Sequence, residues 1–184
     1  MIQTVNGMIS ETQIRQTLAH EHFVFGLPGF AGDTENCYQR ETALMNGLER
    51  LAMTAKWDVN FIIDLTTAEW GRDPLLLKKL SEASGCHIVC STGLFKDEGN
   101  VLSLLKSASY TDNPEDILEK FFIREIKVGI GQTGIRAGTV KVASSLDKIQ
   151  PLERTIFMAA IRAHKNTGVP IFTHCDRGTM GSAQ

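Results

Sequence analysis

Two rhythms of apolar and polar positions alternate along the chain. Residues 17–25, TLAHEHFVF, read as a first strand. Residues 41–56 follow as a helix, with Leu44, Leu48 and Leu51 at helical spacing. FIIDLT, 61–66, predicts a second strand. Asp73-Pro74 then opens a helix that runs to about Ser84 and stops at Gly85; Asp suits the cap and Pro the first helical position. HIVCSTG, 87–93, is a third strand. Asn113-Pro114 starts another helix, with Glu115 and Asp116 in the first turn, where the helix dipole favours them, and Ile117, Phe121 and Ile126 as its apolar stripe. AGTVKVAS, 137–144, is the fourth strand. Pro151 begins a helix whose Leu152, Ile156, Ala159, Ala160 and Ala163 share one face, and Gly168 ends it. VPIFTHC, 169–175, is the fifth strand.

Five strands separated by four helical connections imply an α/β fold, with a parallel sheet and right-handed crossovers. Several strands are apolar almost continuously, as expected when both faces of the sheet are covered. No internal repeat, low-complexity tract or linker interrupts the series. Periodicity alone leaves open a doubly wound sheet or part of a (β/α)8 barrel.

Composition narrows the class. The chain has 184 residues, 42% apolar and 22% charged, enough for one domain with a core. A formal net charge of -2 and the lack of a basic stripe argue against nucleic acid and anionic membrane as partners. Apolar runs reach about five residues, far from the roughly 20 of a membrane helix. Residues 1–10 lack the basic and apolar blocks of a secretory signal. Cys37, Cys86, Cys90 and Cys175 form no CxxC pair and read as free, buried thiols. These features suit a reducing cytosol, so a cytoplasmic location is expected.

Chemistry enters with His20 and His22, two residues apart on the first strand. Strand side chains alternate, so both imidazoles share a face and can grip one divalent ion. Leu18 and Val24 are expected on that face as well, with Ala19, Glu21 and Phe23 on the other. His174 stands near the end of the fifth strand, where parallel α/β folds bind ligands. Lys141 interrupts the apolar strand TVKVA, and an ammonium is costly to bury unpaired. It is either an edge lysine whose head reaches solvent or an amine converted by carbon dioxide to a carbamate able to bridge two metals. Asp64 suits a structural hydrogen bond, and Arg72, Arg136 and Arg177 are loop arginines able to touch an anionic substrate, with the surface as the default for each. Gly129, Gly131 and Gly134 spell GxGxxG but follow a helix and precede a strand, the reverse of a dinucleotide fingerprint. No GxSxG occurs, which removes the usual serine hydrolase signature.

Four stretches together resemble the phosphotriesterase family of metal-dependent amidohydrolases: TLAHEH, GRDPLLLKKLSEASGCHIVCSTGLF, FFIREIKVGIGQTGIRAGTVKVASS and RAHKNTGVPIFTHCDRGTMG. The resemblance spans essentially the whole chain. It implies a (β/α)8 TIM barrel with two divalent metals, usually zinc, at the C-terminal mouth. By position, His20 and His22 would hold the more buried metal, carboxylated Lys141 would bridge both, and His174 would hold the more exposed one. A metal-bound hydroxide would attack a phosphorus or carbonyl centre. The substrate would be an organophosphate triester, a lactone or a related carboxyl ester, with Phe95 lining the substrate mouth.

Five strands are present where such a barrel has eight. The expected domain is therefore a single incomplete barrel over residues 1–184, truncated to about the first five strands and four helices. In relatives, a further histidine after strand six and an aspartate after strand eight complete the ligand set. Four of six ligands would be here, so weak metal binding and low stability are expected of the chain alone. It is expected to pair with the missing half or with another copy of itself. The alternative is a catalytically inactive fragment that serves only as a structural or assembly partner.

Overall fold

The structure, a computed structural model, describes residues 1–27, 29–35, 37–96, 110, 113–178 and 181. The chain enters through β1 (Ile2–Thr4) and β2 (Gly7–Ile9). It continues through β3 (Gln16–Glu21), α1 (Arg40–Ala55), β4 (Val59–Asp64), α2 (Pro74–Ser84) and β5 (His87–Gly93). Then follow α3 (Pro114–Lys127), β6 (Thr139–Ser144), α4 (Pro151–Thr167) and β7 (Ile171–Cys175). Strands β3 to β7 form one sheet in sequence order, every pair parallel. This curled half-barrel and its four helices match a truncated (β/α)8 barrel, as the alternation of strands and helices predicts.

The sheet's outer face and the helices share one apolar layer. Ile62, Ile88, Cys90, Val140 and Val142 meet Leu76, Leu80, Leu118, Phe122 and Ile156, all nearly or wholly without solvent contact. Each such side chain contributes about 1.5–3 kcal/mol by leaving water. The helix signals act as read: the Asp73 carboxylate accepts the Leu76 N–H at 3.0 Å, and Gly85 and Gly168 end their helices in the left-handed region. Gly129, Gly131 and Gly134 have positive φ in the turn between α3 and β6, so they shape a loop. Cys86 and Cys90 are buried free thiols, but Cys37 is exposed.

Two departures from expectation have physical causes. The first strand ends at Glu21, because its register with β4 shifts between Leu18 and Glu21. That irregularity breaks strict alternation, and Leu18 and Val24 pack against the apolar layer beside Phe23. The β1–β2 hairpin is additional. It packs at the N-terminal ends of the strands, where the Val5 N–H bonds Ile88 O at 2.8 Å and Asn6 Nδ2 bonds Ser81 Oγ at 2.9 Å. Gly138 lets it in close, since a Cβ there would lie 2.3 Å from Gln3 O. Among the described residues, no helix is long and apolar enough to cross a membrane.

Candidate metal centre

All five candidate site residues meet at the C-terminal ends of the strands. His20 lies near the end of β3 and His22 just beyond it, with ring centroids 5.5 Å apart. His174, on β7, faces His20 at 6.3 Å. Lys141, inside β6 and 1% exposed, places Nζ 2.8 Å from His20 Nε2. Phe95 follows β5, its ring 5.3 Å from that of His174. Lys141 is thus no edge lysine: β5 and β7 pair with its strand on either side. Gly93 lies opposite it in β5, with φ +111°, and an added Cβ would stand 1.9 Å from Lys141 O. Only glycine allows β5 so close to the lysine.

Hydrogen bonding and burial set the protonation of these groups. Thr66 Oγ1 spends its proton on Val24 O at 3.2 Å, so it accepts from His22 Nδ1 at 2.9 Å. That tautomer leaves the Nε2 lone pair of His22 free for a ligand. Desolvation over the packed strand floor, then the positive neighbours His20, Lys141 and His174, lower the His22 pKa to about 4. His20 and His174 shift the same way, burial again first. The rings are open on the cavity side, yet the floor beneath removes enough water to disfavour charge. Burial also lowers the Lys141 ammonium to about 8. Asp64 is buried and accepts the N–H groups of Phe23 at 2.9 Å and Thr66 at 3.0 Å, the structural role expected of it. It fixes the turn that carries His22.

A cavity of about 610 Å³ is lined by His20, His22, Phe25, Leu65, Thr67, Phe95 and His174. A larger one, about 890 Å³, lies along β3 and α1 and shares only His22 and Phe25 with it. The smaller cavity is the relevant one, because the candidate groups converge there. An aromatic wall runs along it from one imidazole to another. His22 meets Phe25 at 5.6 Å, Phe25 stacks on Trp70 at 4.7 Å, Trp70 meets Phe95 at 5.1 Å, and Phe95 reaches His174. Lys96 beside it binds Asp176 with both carboxylate oxygens, at 2.7 and 2.8 Å. Asp176 Oδ1 in turn lies 3.7 Å from His174 Nε2.

Arg72 is no surface arginine: it is buried with Glu125 in a bidentate ion pair at 2.7 Å, and Thr92 Oγ1 also donates to Glu125. Arg136 and Arg177 are exposed. Thr67 Oγ1 and Glu69 Oε2 are buried without a well-formed hydrogen bond, though Thr67 lowers the Glu69 pKa.

The donor chemistry fits divalent metal. Neutral imidazoles are ligands, and two rings on one tetrahedral ion at about 2.1 Å put their centroids roughly 5 Å apart, near the 5.5 Å of His20 and His22. As the side chains stand, no group of three His, Cys, Asp or Glu among the described residues is close enough to hold an ion. His20 Nε2 is engaged by Lys141.

The family model that matches residues 1–184 is that of the phosphotriesterase family. The chain belongs to the phosphotriesterase family. It is 31% identical to a phosphotriesterase homology protein of Mycobacterium tuberculosis, over 96% of this chain and 55% of that protein. It is 28% identical to an aryldialkylphosphatase of Saccharolobus solfataricus, over 90% of this chain and 51% of that one. A solved structure of a mutant PTE-like lactonase from Deinococcus radiodurans superposes with TM-score 0.93 at 37% identity, covering 100% of this chain and 57% of its own. The chain thus spans about half the length of these phosphotriesterase-family relatives. His20, His22, Lys141 and His174 all lie within the match.

Proposed function

We propose that this chain supplies part of the active site of a metal-dependent hydrolase of neutral esters: lactones, related carboxyl esters or organophosphate triesters. The observation that carries the reading is the gathering of three imidazoles beside a buried lysine, the His20 ring 5.5 Å from His22 and 6.3 Å from His174, with Lys141 Nζ 2.8 Å from His20 Nε2. Two divalent ions, zinc by preference of the donor set, would activate water and polarise the C=O or P=O bond.

The residues divide the remaining work. His20 and His22 would hold the more buried ion and His174 the more exposed one. Lys141 would bridge as a carbamate: its neutral nitrogen bonds the carbon of CO2 and releases a proton to water, leaving one negative charge shared by two oxygens. A lowered lysine pKa supports this, because only the neutral amine adds to CO2. Thr66 holds the His22 tautomer. Phe25, Trp70 and Phe95 form an apolar wall for the ester's organic group. Among the described residues the cavity lining carries no permanent side-chain charge, and the nearby Lys96 is engaged by Asp176, so no side chain there is set to bind an anionic substituent of the ester.

The test is hydrolysis of a lactone, an aryl carboxyl ester and a phosphotriester by zinc-loaded protein, before and after chelation. Activity on at least one ester that is lost with zinc and returns with it supports the reading. Hydrolysis that survives both chelation and Lys141→Ala overturns it.

A further inference from the structure

Glu69 sits in the short 3-10 turn Ala68–Trp70 that follows β4, and neither the metal ligation nor the ester chemistry uses it. Its Oε1 accepts the backbone N–H of Phe95, a residue on the next βα loop, at 2.5 Å. The bond spans two loops that no strand pairing joins. The neighbouring Trp70 packs on the same Phe95 ring at 5.1 Å, and that ring rests on His174. The carboxylate is largely closed off from water, and burial pushes its pKa up despite the Phe95 N–H. An acid kept there at a desolvation cost needs a return, and the contact it makes is with the backbone of the cavity's aromatic wall.

We propose that Glu69 is a positioning residue: through the Phe95 N–H it sets the Phe95 ring between Trp70 and His174, and thereby sets how bulky an ester group the cavity accepts. This rests on the ester-hydrolase reading above for its substrate consequence only. Removal of the acceptor frees the ring to leave the wall, which weakens ground-state and transition-state binding alike. The cost falls on KM and leaves kcat nearly intact.

Two variants isolate the acceptor. Glu69→Gln keeps an oxygen for the Phe95 N–H, and Glu69→Met fills the same volume without one. Trp70 emission reports the wall directly once the exposed Trp57 is replaced by Phe. Hydrogen exchange of the Phe95 amide gives a second measurement that needs no activity. In the full chain, Glu69→Met is expected to shift Trp70 emission and speed exchange at Phe95 by about tenfold, the scale of one lost hydrogen bond. It should also raise KM for a bulky ester relative to a small one by about tenfold, with kcat within about twofold. Glu69→Gln should restore all three. Wild-type emission, exchange and KM ratio in Glu69→Met overturn the proposal, as does rapid Phe95 exchange in the unsubstituted protein. If the unsubstituted protein hydrolyses no neutral ester, the functional reading fails, and emission with exchange still decides the role of Glu69.

Discussion

Lys141 Nζ and His20 Nε2 lie 2.8 Å apart across 121 residues of chain. The contact joins β6 to β3 across the inside of the curled sheet, and sets a buried amine against an imidazole of the proposed metal centre. Lys141→Ala is therefore expected to lower bound zinc by about one ion per chain in the metal-loaded protein. It should also reduce ester hydrolysis by about 10³-fold, since losing a ligand forfeits several kcal/mol of charge stabilisation. Elemental analysis and steady-state rates check both. Full zinc content in the variant would remove Lys141 from the ligand set.

Gly93 is the condition for that contact. A Cβ at this position meets Lys141 O at 1.9 Å, and φ +111° is itself costly for any L side chain. Gly93→Ala must push β5 away from β6 or distort the turn into Leu94. The expected loss is about 3 kcal/mol or more, a fall of roughly 6–12 °C in Tm for a domain of this size. Calorimetry on the purified variant measures it, and an unchanged Tm would show that the two strands separate more easily than their packing implies.

Much of the fold was legible because its elements obey local rules. β5 and β6 lie between covered faces and read as apolar runs, and Asp73-Pro74 and Pro151 mark helix starts in a way that needs no tertiary context. That His20 and His22 come together was expected from their place on the first strand of the series, although His22 lies beyond that strand's end. Three features were not legible. The hairpin's strands are three residues long, too short to show alternation, and only the Asn6-Gly7 pair hints at a turn. The end of β3 depends on a register shift against β4, a property of two segments at once. Glu69 and Phe95, like Arg72 and Glu125, are partners brought together by the curl of the sheet, and neither partner's sequence neighbourhood names the other.

Asp64 makes stability depend on pH in an unusual direction. Burial raises its pKa from 3.8 to about 6, against the two N–H groups that favour the anion. Between these values the folded protein holds a proton that the unfolded chain has released. The stability contribution of Asp64 is therefore greatest below pH 3.8, falls as pH rises to about 6, and is level above that. The difference in unfolding free energy between the wild type and Asp64→Asn should change by roughly 3 kcal/mol across this window. Urea unfolding of the metal-free proteins at several pH values tests it, and a pH-independent difference would place Asp64 in a wetter site than its burial shows.

Arg72 and Glu125 present the opposite balance, two charges buried at 5% side-chain exposure each and satisfied by one another. The pair also holds Ser91 O through Arg72 and Thr92 Oγ1 through Glu125, so it fastens α3 to β5. Removal of one partner strands the other charge in a dry layer. Arg72→Met or Glu125→Leu alone should cost about 3–5 kcal/mol, whereas the double variant should recover most of that loss. A double-mutant cycle by urea unfolding yields the coupling directly. If the double variant is as unstable as the sum of the singles, the pair's value lies in the strand bonds to Ser91 and Thr92. The mutual neutralisation would then contribute little, and β5 should lose amide protection in every variant of the cycle.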